Sequence, residues 1–382
     1  MNSDTRHDSH APVSAPVRDN VTVHDLLADW PMKGFFCKLP RRLSGAATVL
    51  TISLVLLCVL IPVLLIGGRK TYFNFPAKPT VNESGGGVAS EKGDRPYADG
   101  VSGNVLLPWA DNVQIIPANS INAAHAALAD LKSGEIIASR KADEIIYPAS
   151  MTKVMTLIVV AENLPSEDCL TDVITISQDI YDEMKRQGSS GIGLEPGEKL
   201  TVEALLYALM LRSDGIAACE LARYVTGNVE DFVELMNQKA EKMGLTNTHF
   251  ENPTGLFHAS HTSTCREIAS IMTYAMNMSL CRKILLTQHY NAPCVGADGK
   301  TFHYTLLHNL MITHFESITP NQPTTVKIAA GKTGFTDESL YCLVTYAEST
   351  DGHGYVCVTA KGESYRACVQ DYRTIYDTYV TP

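Results

Sequence analysis

A run of 21 residues without a single charge, residues 46–66, constrains this chain more than any other stretch. As a helix with a rise of about 1.5 Å per residue, it is long enough to cross the ~30 Å hydrocarbon core of a bilayer. Pro62 inside the run is tolerated in a membrane helix. The run therefore predicts one transmembrane helix, within residues 45–67.

The basic residues around this run predict its orientation. They lie on both sides of it, at Lys33, Lys38, Arg41, Arg42, Arg69 and Lys70. The excess before the run favours a cytoplasmic N-terminus. A cleaved signal peptide is the alternative, but the leader is long and no Ala-x-Ala site follows the run. We expect an uncleaved single-pass anchor in the cell membrane, with the rest of the chain extracytoplasmic.

The segments flanking the anchor differ in composition from the remainder. Residues 1–44 are polar, with mixed charges and several prolines, and predict a disordered cytoplasmic tail. Residues 68–112 include Gly85, Gly86 and Gly87 and show little periodicity, which predicts a linker. Residues 113–382 show globular patterning and are predicted to form the folded domain.

The overall charge bounds the possible partners. The formal net charge is −10, and no basic stripe interleaved with aromatic residues is present. Such a surface repels a phosphate backbone, so we expect no nucleic acid partner. The 45% hydrophobic content is sufficient for a sizeable core.

Hydrophobic periodicity gives a coarse order of elements in the globular part. Residues 123–131 and 135–140 predict a β-hairpin, and residues 150–163, 202–210, 229–243 and 264–276 predict helices. Residues 326–333, 340–347 and 355–361 predict three strands before a last helix over residues 365–380. This order predicts an α+β domain.

The segment Pro-Ala-Ser-Met-Thr-Lys at residues 148–153 brings a hydroxyl and an amine together. In a helix starting at residue 150, Ser150 and Lys153 share one face of the first turn. The apolar residues that follow predict a buried helix. Lysine can activate serine only if its pKa falls below the usual ~10.4, and burial, the helix dipole and a second cation would each lower it.

A second motif, Lys332-Thr333-Gly334 on a predicted strand, completes a recognisable pair. Ser-x-x-Lys followed by Lys-Thr-Gly resembles the serine penicillin-recognising enzymes, which are the penicillin-binding proteins and class A β-lactamases. The segments at residues 194–202 and 243–256 are most similar to the low-molecular-mass D-alanyl-D-alanine carboxypeptidases. The resemblance implies a β-lactamase/transpeptidase-like fold, with an antiparallel sheet, flanking helices and a mostly helical second lobe.

The resemblance also implies a role for each motif residue. Ser150 is the expected nucleophile, Lys153 its base, and Ser213 a proton relay to the leaving D-alanine. The substrate carboxylate is expected to bind Lys332 and Thr333, and the backbone N–H groups of Ser150 and Phe335 to form the oxyanion hole. No metal or organic cofactor is implied.

The family's middle motif, Ser-x-Asn, is altered in this chain. Its serine corresponds to Ser213, but Gly215 stands where the substrate-orienting asparagine is expected. Asp214 either compensates for the lost amide or caps the following helix, and we favour capping. Replacing Gly215 by Asn is expected to raise turnover if the missing amide limits the reaction.

The function implied by the resemblance is removal of the terminal D-alanine from peptidoglycan stem peptides, with β-lactams as covalent inhibitors. Endopeptidase or transpeptidase action at the same site is an alternative, and so is a catalytically impaired module that binds peptidoglycan or a divisome partner. A main activity as β-lactamase is disfavoured, because no Glu-x-x-Leu-Asn segment follows Ser213. Glu251 is interpreted as a surface residue.

The positions of the cysteines and histidines indicate structural roles. Cys219, Cys342 and Cys357 lie in apolar stretches and are expected to be buried thiols, while a bridge among Cys265, Cys281 and Cys294 stays open. His258 and His261 have metal-like spacing, but they follow the carboxypeptidase-like segment and predict no zinc site.

Overall fold

A six-stranded sheet and a smaller four-stranded sheet carry the described part of the chain, residues 105–308 and 323–380 of a computed structural model. The strands are β1 Trp109–Ile115, β2 His125–Asp130, β3 Glu135–Arg140, β4 Val173–Thr175, β5 Lys199–Thr201, β6 His289–Val295, β7 Thr301–Leu307, β8 Val326–Thr336, β9 Leu340–Ser349 and β10 Gly354–Gly362. The helices are α1 Lys153–Asn163, α2 Gln178–Arg186, α3 Val202–Leu211, α4 Gly215–Thr226, α5 Val229–Lys242, α6 Cys265–Asn277, α7 Ser279–Leu286 and α8 Tyr365–Tyr379.

The larger sheet has the strand order β1-β3-β2-β10-β9-β8. All its pairings are antiparallel except β1 with β3, which is parallel. The predicted hairpin and the three C-terminal strands are therefore confirmed. Because β8 is an edge strand, one side of the Lys332 segment has no neighbouring strand. Residues 148–150 lie against Gly334 of this strand.

Helix α1 lies at the centre of the main hydrophobic core. Nine of its residues are buried, from Lys153 to Ala161, so the predicted buried helix is confirmed. Its start differs from the prediction, because residues Ala149–Thr152 form a 3₁₀ turn and the α-helix begins at Lys153. The tighter turn still brings positions 150 and 153 together.

The second lobe contains helices together with the sheet β4-β5-β6-β7. We expected this lobe to be mostly helical, and its sheet was not predicted. Strands β4 and β5 contain three residues each, too few to show an alternating pattern. Strand β6 contains Pro293, which weakens a strand prediction.

Helix α8 covers the other face of the six-stranded sheet. Tyr372 and Tyr376 on this helix are fully buried. The carboxylate of Asp371 accepts hydrogen bonds of 2.7 Å each from the backbone N–H groups of Asn122 and Ala123. These bonds tie the C-terminal helix to the segment that enters β2.

The folded region begins before the boundary expected at residue 113. Leu107 is buried and β1 begins at Trp109, so the last residues of the expected linker belong to the domain. Within residues 105–308 and 323–380, no helix has the length and apolarity needed to cross a bilayer. The predicted tail, the predicted anchor and the rest of the linker lie outside the described residues.

The cysteine predictions are resolved by burial. Cys219, Cys342 and Cys357 are buried free thiols, as expected. Cys265 and Cys281 are also free and buried, so the bridge left open among these two and Cys294 does not form.

Candidate active site

Ser150 is held in place by a tight contact between three chain segments. Ala149, just before it, has a left-handed φ of 47°. A Cβ atom added to Gly255 would stand 1.9 Å from the Ala149 carbonyl oxygen, and one added to Gly334 would stand 3.0 Å from the Ser150 nitrogen. Ala149 therefore packs between Gly255 and Gly334, and only residues without a Cβ atom allow these chain segments to come so close. This packing places Ser150 beside β8.

Lys153 lies directly behind the Ser150 hydroxyl. Its Nζ is 3.2 Å from Ser150 Oγ and donates a 2.5 Å hydrogen bond to the carbonyl oxygen of Thr254. Ser150 is partly exposed while Lys153 is buried. The hydroxyl is therefore more accessible to solvent than the amine behind it.

A second hydroxyl and amine pair forms the opposite side of the site. Ser213 lies between α3 and α4 with a left-handed φ of 58°. Lys332 on β8 donates a 2.9 Å hydrogen bond to Ser213 Oγ and a 2.8 Å bond to the Thr333 carbonyl oxygen. Both amines of the site are therefore buried and each is bonded to a serine hydroxyl.

Burial controls the protonation of both lysines. It lowers the pKa of Lys153 to about 8, against the smaller opposing effect of the Asp214 carboxylate. Burial also lowers the pKa of Lys332 well below its usual value, and repulsion from Lys153 adds to that shift. An ammonium in a low-dielectric site is poorly solvated, so the neutral form gains. Of the three expected influences on Lys153, burial dominates.

One cavity of about 550 Å³ brings the predicted site residues together. Ser150, Lys153, Ser213, Thr333 and Phe335 all line it. Lys332 is placed there through its bond to Ser213. The Phe335 side chain is 43% exposed at the mouth. The six residues selected from sequence thus converge, and their individual chemical roles stay predictions.

Asp214 caps a helix, as favoured from the sequence. Its Oδ1 accepts a 2.9 Å hydrogen bond from the Ala217 N–H in the first turn of α4. Its Oδ2 accepts a 2.7 Å bond from the Ile192 N–H. Both oxygens are engaged and the side chain is fully buried. Asp214 is therefore not placed to substitute for a substrate-binding amide.

A side chain at position 215 would meet Ser189 and Met184 where they now lie. A Cβ atom there would stand 1.9 Å from the hydroxyl oxygen of Ser189. A contact under 3.0 Å requires a shift of the neighbouring group. The single change of Gly215 to Asn therefore introduces a close contact with Ser189 as well as an amide, so the turnover of this variant would not report the effect of the amide alone.

Two supports of the site were not selected from the sequence. Asn252 Oδ1 accepts hydrogen bonds from the Thr254 and Gly255 N–H groups, at 3.1 and 2.8 Å, and so fixes the carbonyl that binds Lys153. Asn-Pro-Thr-Gly is a turn signal, and it was available in the sequence. His261 Nε2 lies 2.8 Å from Thr152 Oγ1 within the 3₁₀ turn.

His261 acts here as a neutral packing group. Burial lowers its pKa to about 3, and its Nδ1 accepts a hydrogen bond from the Glu251 N–H. His258 lies elsewhere, 3.4 Å from the exposed Glu251 carboxylate. Among residues 105–308 and 323–380, no group of three or more His, Cys, Asp or Glu residues is arranged to hold a metal ion.

Solved structures of known proteins share this fold. The crystal structure of the Streptomyces K15 DD-transpeptidase superimposes with a TM-score of 0.61 at 28% identity, covering 69% of this chain and 98% of that one. The fold and its paired serine and lysine motifs define the class of penicillin-recognising transpeptidases and carboxypeptidases.

Sequence comparison gives the family within that class. The family model described as D-alanyl-D-alanine carboxypeptidase matches residues 112–360, and the chain belongs to this family. DacF of Bacillus subtilis, a D-alanyl-D-alanine carboxypeptidase, is 32% identical over 231 residues, which are 59% of this chain and 54% of DacF. A D-alanyl-D-alanine endopeptidase of Pseudomonas aeruginosa is 27% identical over 220 residues, 57% of this chain and 65% of that protein. The chain thus spans about half the length of DacF.

The contact at Gly255 generates a testable prediction. Gly255→Ala places a methyl group 1.9 Å from the Ala149 carbonyl, at a φ of +79°. Left-handed strain costs about 1–2 kcal/mol, and overpacking adds about 1–3 kcal/mol. We expect a loss of about 2–5 kcal/mol in urea unfolding, together with slower acylation of Ser150 by a fluorescent β-lactam.

Gly352→Ala is the matched control. Its φ is +83°, but no atom lies within 4 Å of the added Cβ. This variant should lose only the about 1–2 kcal/mol of unfolding free energy that left-handed strain costs. It should be acylated at the wild-type rate. Equal losses of stability and reactivity in the two variants would contradict the proposed packing around Ala149.

Proposed function

We propose that this protein is a membrane-anchored serine D-alanyl-D-alanine carboxypeptidase that removes the terminal D-alanine from peptidoglycan stem peptides. The observation that carries the proposal is the pair of buried amines, each bonded to a serine hydroxyl in one cavity. Family membership supplies the reaction type.

The first step is attack by Ser150 on the peptide carbonyl between the two D-alanines. Lys153 in its neutral form accepts the hydroxyl proton over the 3.2 Å contact. The Ser150 oxygen then bonds to the carbonyl carbon to give a tetrahedral intermediate. The backbone N–H groups of Ser150 and Phe335 stabilise its oxyanion, and the close passage of β8 past the Ser150 nitrogen supports this role.

The second hydroxyl and amine pair serves the leaving group. Ser213 passes a proton to the departing D-alanine nitrogen and receives in turn the proton that Lys153 took from Ser150, so Lys153 is neutral again; the bond of Ser213 to Lys332 supports this relay. Lys332 and Thr333 bind the terminal carboxylate of the substrate. The negative charge of this carboxylate favours the ammonium form of Lys332, which burial otherwise disfavours. Free D-alanine leaves, and the Ser150 ester remains.

Water completes the cycle by hydrolysing the ester. Lys153 takes a proton from the water, and the Ser150 hydroxyl is regenerated when the C–O bond breaks. A β-lactam places its ring carbonyl where the peptide carbonyl would lie. Its amine remains attached after ring opening, so we expect a long-lived acyl-enzyme.

The cavity has an extension suited to the rest of the stem peptide. A groove of about 1090 Å³ shares lining residues with the cavity of Ser150. The shared residues are Gly188, Thr254, Leu256, Phe335 and Thr336. An extended peptide can therefore continue past the reacting carbonyl without leaving the surface.

Transfer to an amine instead of water is a second candidate. The likeness to a DD-transpeptidase and to a D-alanyl-D-alanine endopeptidase favours it. The acylation chemistry is the same in each case. A transpeptidase differs in the acceptor of the acyl group, and an endopeptidase differs in the peptide bond that it cleaves. Addition of glycylglycine to the reaction separates the outcomes, because a transpeptidase forms a new peptide and a carboxypeptidase does not.

The proposal includes a location for each part of the chain. Residues 1–44 form the cytoplasmic tail, residues 45–67 the anchor and residues 68–112 the linker, of which the final residues join the domain. The catalytic domain then acts outside the cytoplasm, where peptidoglycan is built. The uncharged run and its basic flanks support this placement.

The lowered pKa of Lys153 predicts the pH dependence of acylation. With a pKa of about 8, about one molecule in ten has the neutral base at pH 7, against about one in 2,500 for an unperturbed lysine. The rate constant for β-lactam acylation should rise about tenfold per pH unit below pH 8 and level off above it. Stopped-flow fluorescence between pH 5.5 and 9.5 measures this profile.

Two variants accompany the pH profile. Lys153→Arg cannot supply a neutral base and should show no acylation step at any of these pH values. Lys132→Arg changes an exposed lysine and should keep the wild-type profile. A wild-type rate that is flat across this range, or that falls as the pH rises, would count against Lys153 as the base.

Loss of the nucleophile tests the function itself. Ser150→Ala should abolish fluorescent penicillin labelling and lower D-alanine release from a pentapeptide by at least about a thousandfold. Ser133→Ala, an exposed hydroxyl on the β2–β3 turn, is the matched control and should act as wild type. A well-folded wild type that neither labels nor releases D-alanine would instead favour the peptidoglycan-binding module.

Deletion of residues 46–66 tests the anchor. The full chain should sediment with membranes, and its domain should be digested by protease added to spheroplasts. The deletion variant should appear in the soluble cytoplasmic fraction. Protection of the full-length domain until the membrane is lysed would refute the extracytoplasmic placement.

A further inference from the structure

The loop of residues 188–193, here called the serine loop, lies directly against the altered middle motif. Ser190 Oγ donates a 3.0 Å hydrogen bond to the Ser213 carbonyl oxygen. The Gly215 N–H donates a 3.0 Å bond to the Ser190 carbonyl oxygen. The two segments therefore exchange hydrogen bonds in both directions, across 23 positions of sequence at Ser190 and Ser213.

A third contact fixes the distance between these segments. Asp214 Oδ2 accepts a 2.7 Å hydrogen bond from the Ile192 N–H. A Cβ atom on Gly191 would stand 2.5 Å from the same oxygen. Only glycine at position 191 allows the buried carboxylate to come this close. The serine loop is thereby held at a defined position above the cavity.

This position places Ser189 in the space that a residue 215 side chain would enter. The Cβ position of residue 215 falls 1.9 Å from Ser189 Oγ and 3.0 Å from Ser189 Cβ. Ser189 lines the same cavity as Ser150, Lys153 and Ser213 and is partly exposed. A hydroxyl therefore occupies the origin of the missing amide side chain.

The Ser189 hydroxyl has hydrogen-bonding capacity available for a ligand. Its bond to the Ser190 carbonyl oxygen is long, at 3.4 Å. A hydroxyl carries one donor and two acceptor positions, so it can bond either the N–H or the C=O of a substrate amide. Asparagine provides the same two capabilities through one longer side chain.

We infer that Ser189 orients the substrate amide in place of the asparagine absent at position 215. The inference rests on the proposed function and adds a substrate-contacting residue from a different loop. The absence of an asparagine side chain at position 215 and the position of the Ser189 hydroxyl beside it are then two parts of one arrangement. Neither change alone restores the usual motif, because a Cβ atom at position 215 would stand 1.9 Å from the Ser189 hydroxyl oxygen, and the two side chains cannot both keep these positions.

A set of four variants of the full chain in detergent tests the inference. They are Ser189→Ala, Gly215→Asn, the double variant Ser189→Ala with Gly215→Asn, and the double variant Ser189→Ala with Gly215→Ala. The two double variants share the tight 3.0 Å approach between the Cβ atoms, and they differ only in the amide. D-alanine release, β-lactam acylation and melting temperature are measured for each.

The expected pattern depends on the amide group. Ser189→Ala should lower kcat/KM for D-alanine release about 10- to 100-fold with an unchanged melting temperature, as expected for one lost substrate hydrogen bond. Gly215→Asn alone should also be slow, because it collides with Ser189. The double variant with Asn should recover to within a few-fold of wild type, and the double variant with Ala should stay slow.

Three results would overturn the inference. One is wild-type kinetics in Ser189→Ala, and another is equal recovery in the two double variants, which would show that Ser189 only fills space. The third is faster turnover by Gly215→Asn with Ser189 in place. If wild type acylates but releases no D-alanine, the proposed function fails, and the acylation rates of the same variants still decide the role of Ser189.

Discussion

The burial of Lys153 behind Ser150 is the constraint on which the rest of the site depends. An amine in water stays protonated at neutral pH and cannot accept a proton from a hydroxyl. Inside the core its ammonium form loses solvation, and the Thr254 carbonyl and nearby Asp214 offset part of that loss. Burial of this one amine therefore favours its neutral form, which is the form that a base requires.

Keeping that amine close to a reachable hydroxyl requires several distant segments to meet. Helix α1 supplies Lys153, the Asn252 turn supplies its carbonyl partner, and strand β8 closes the opposite side. Gly255 and Gly334 let the turn and the strand approach the backbone around Ala149. The reactive hydroxyl is thus positioned by backbone packing, which is harder to displace than a side-chain contact.

The parts of this arrangement that were predictable are those with local causes. The apolar character of α1, the strand containing Lys332 and the cap at Asp214 each follow from residues next to one another. The 3₁₀ turn at Ser150 was not predictable, because the left-handed Ala149 depends on glycines at 255 and 334. Strands β4 and β5 carry too few residues for a periodic signal. The conflict between Gly215 and Ser189 arises from two segments packed in three dimensions, and no local pattern reveals it.

The altered middle motif leaves the site without the asparagine side chain expected at position 215. Asp214 is engaged by the α4 N-terminus and the serine loop, so a side chain that replaced the missing amide would have to lie outside the motif. The measurement that tests the central account most directly is mass-spectrometric mapping of a covalent β-lactam adduct after proteolysis. The account predicts the adduct on the peptide that carries Ser150, with Ser189 and Ser213 unmodified. An adduct on another residue, or no adduct on a fully folded protein, would contradict it.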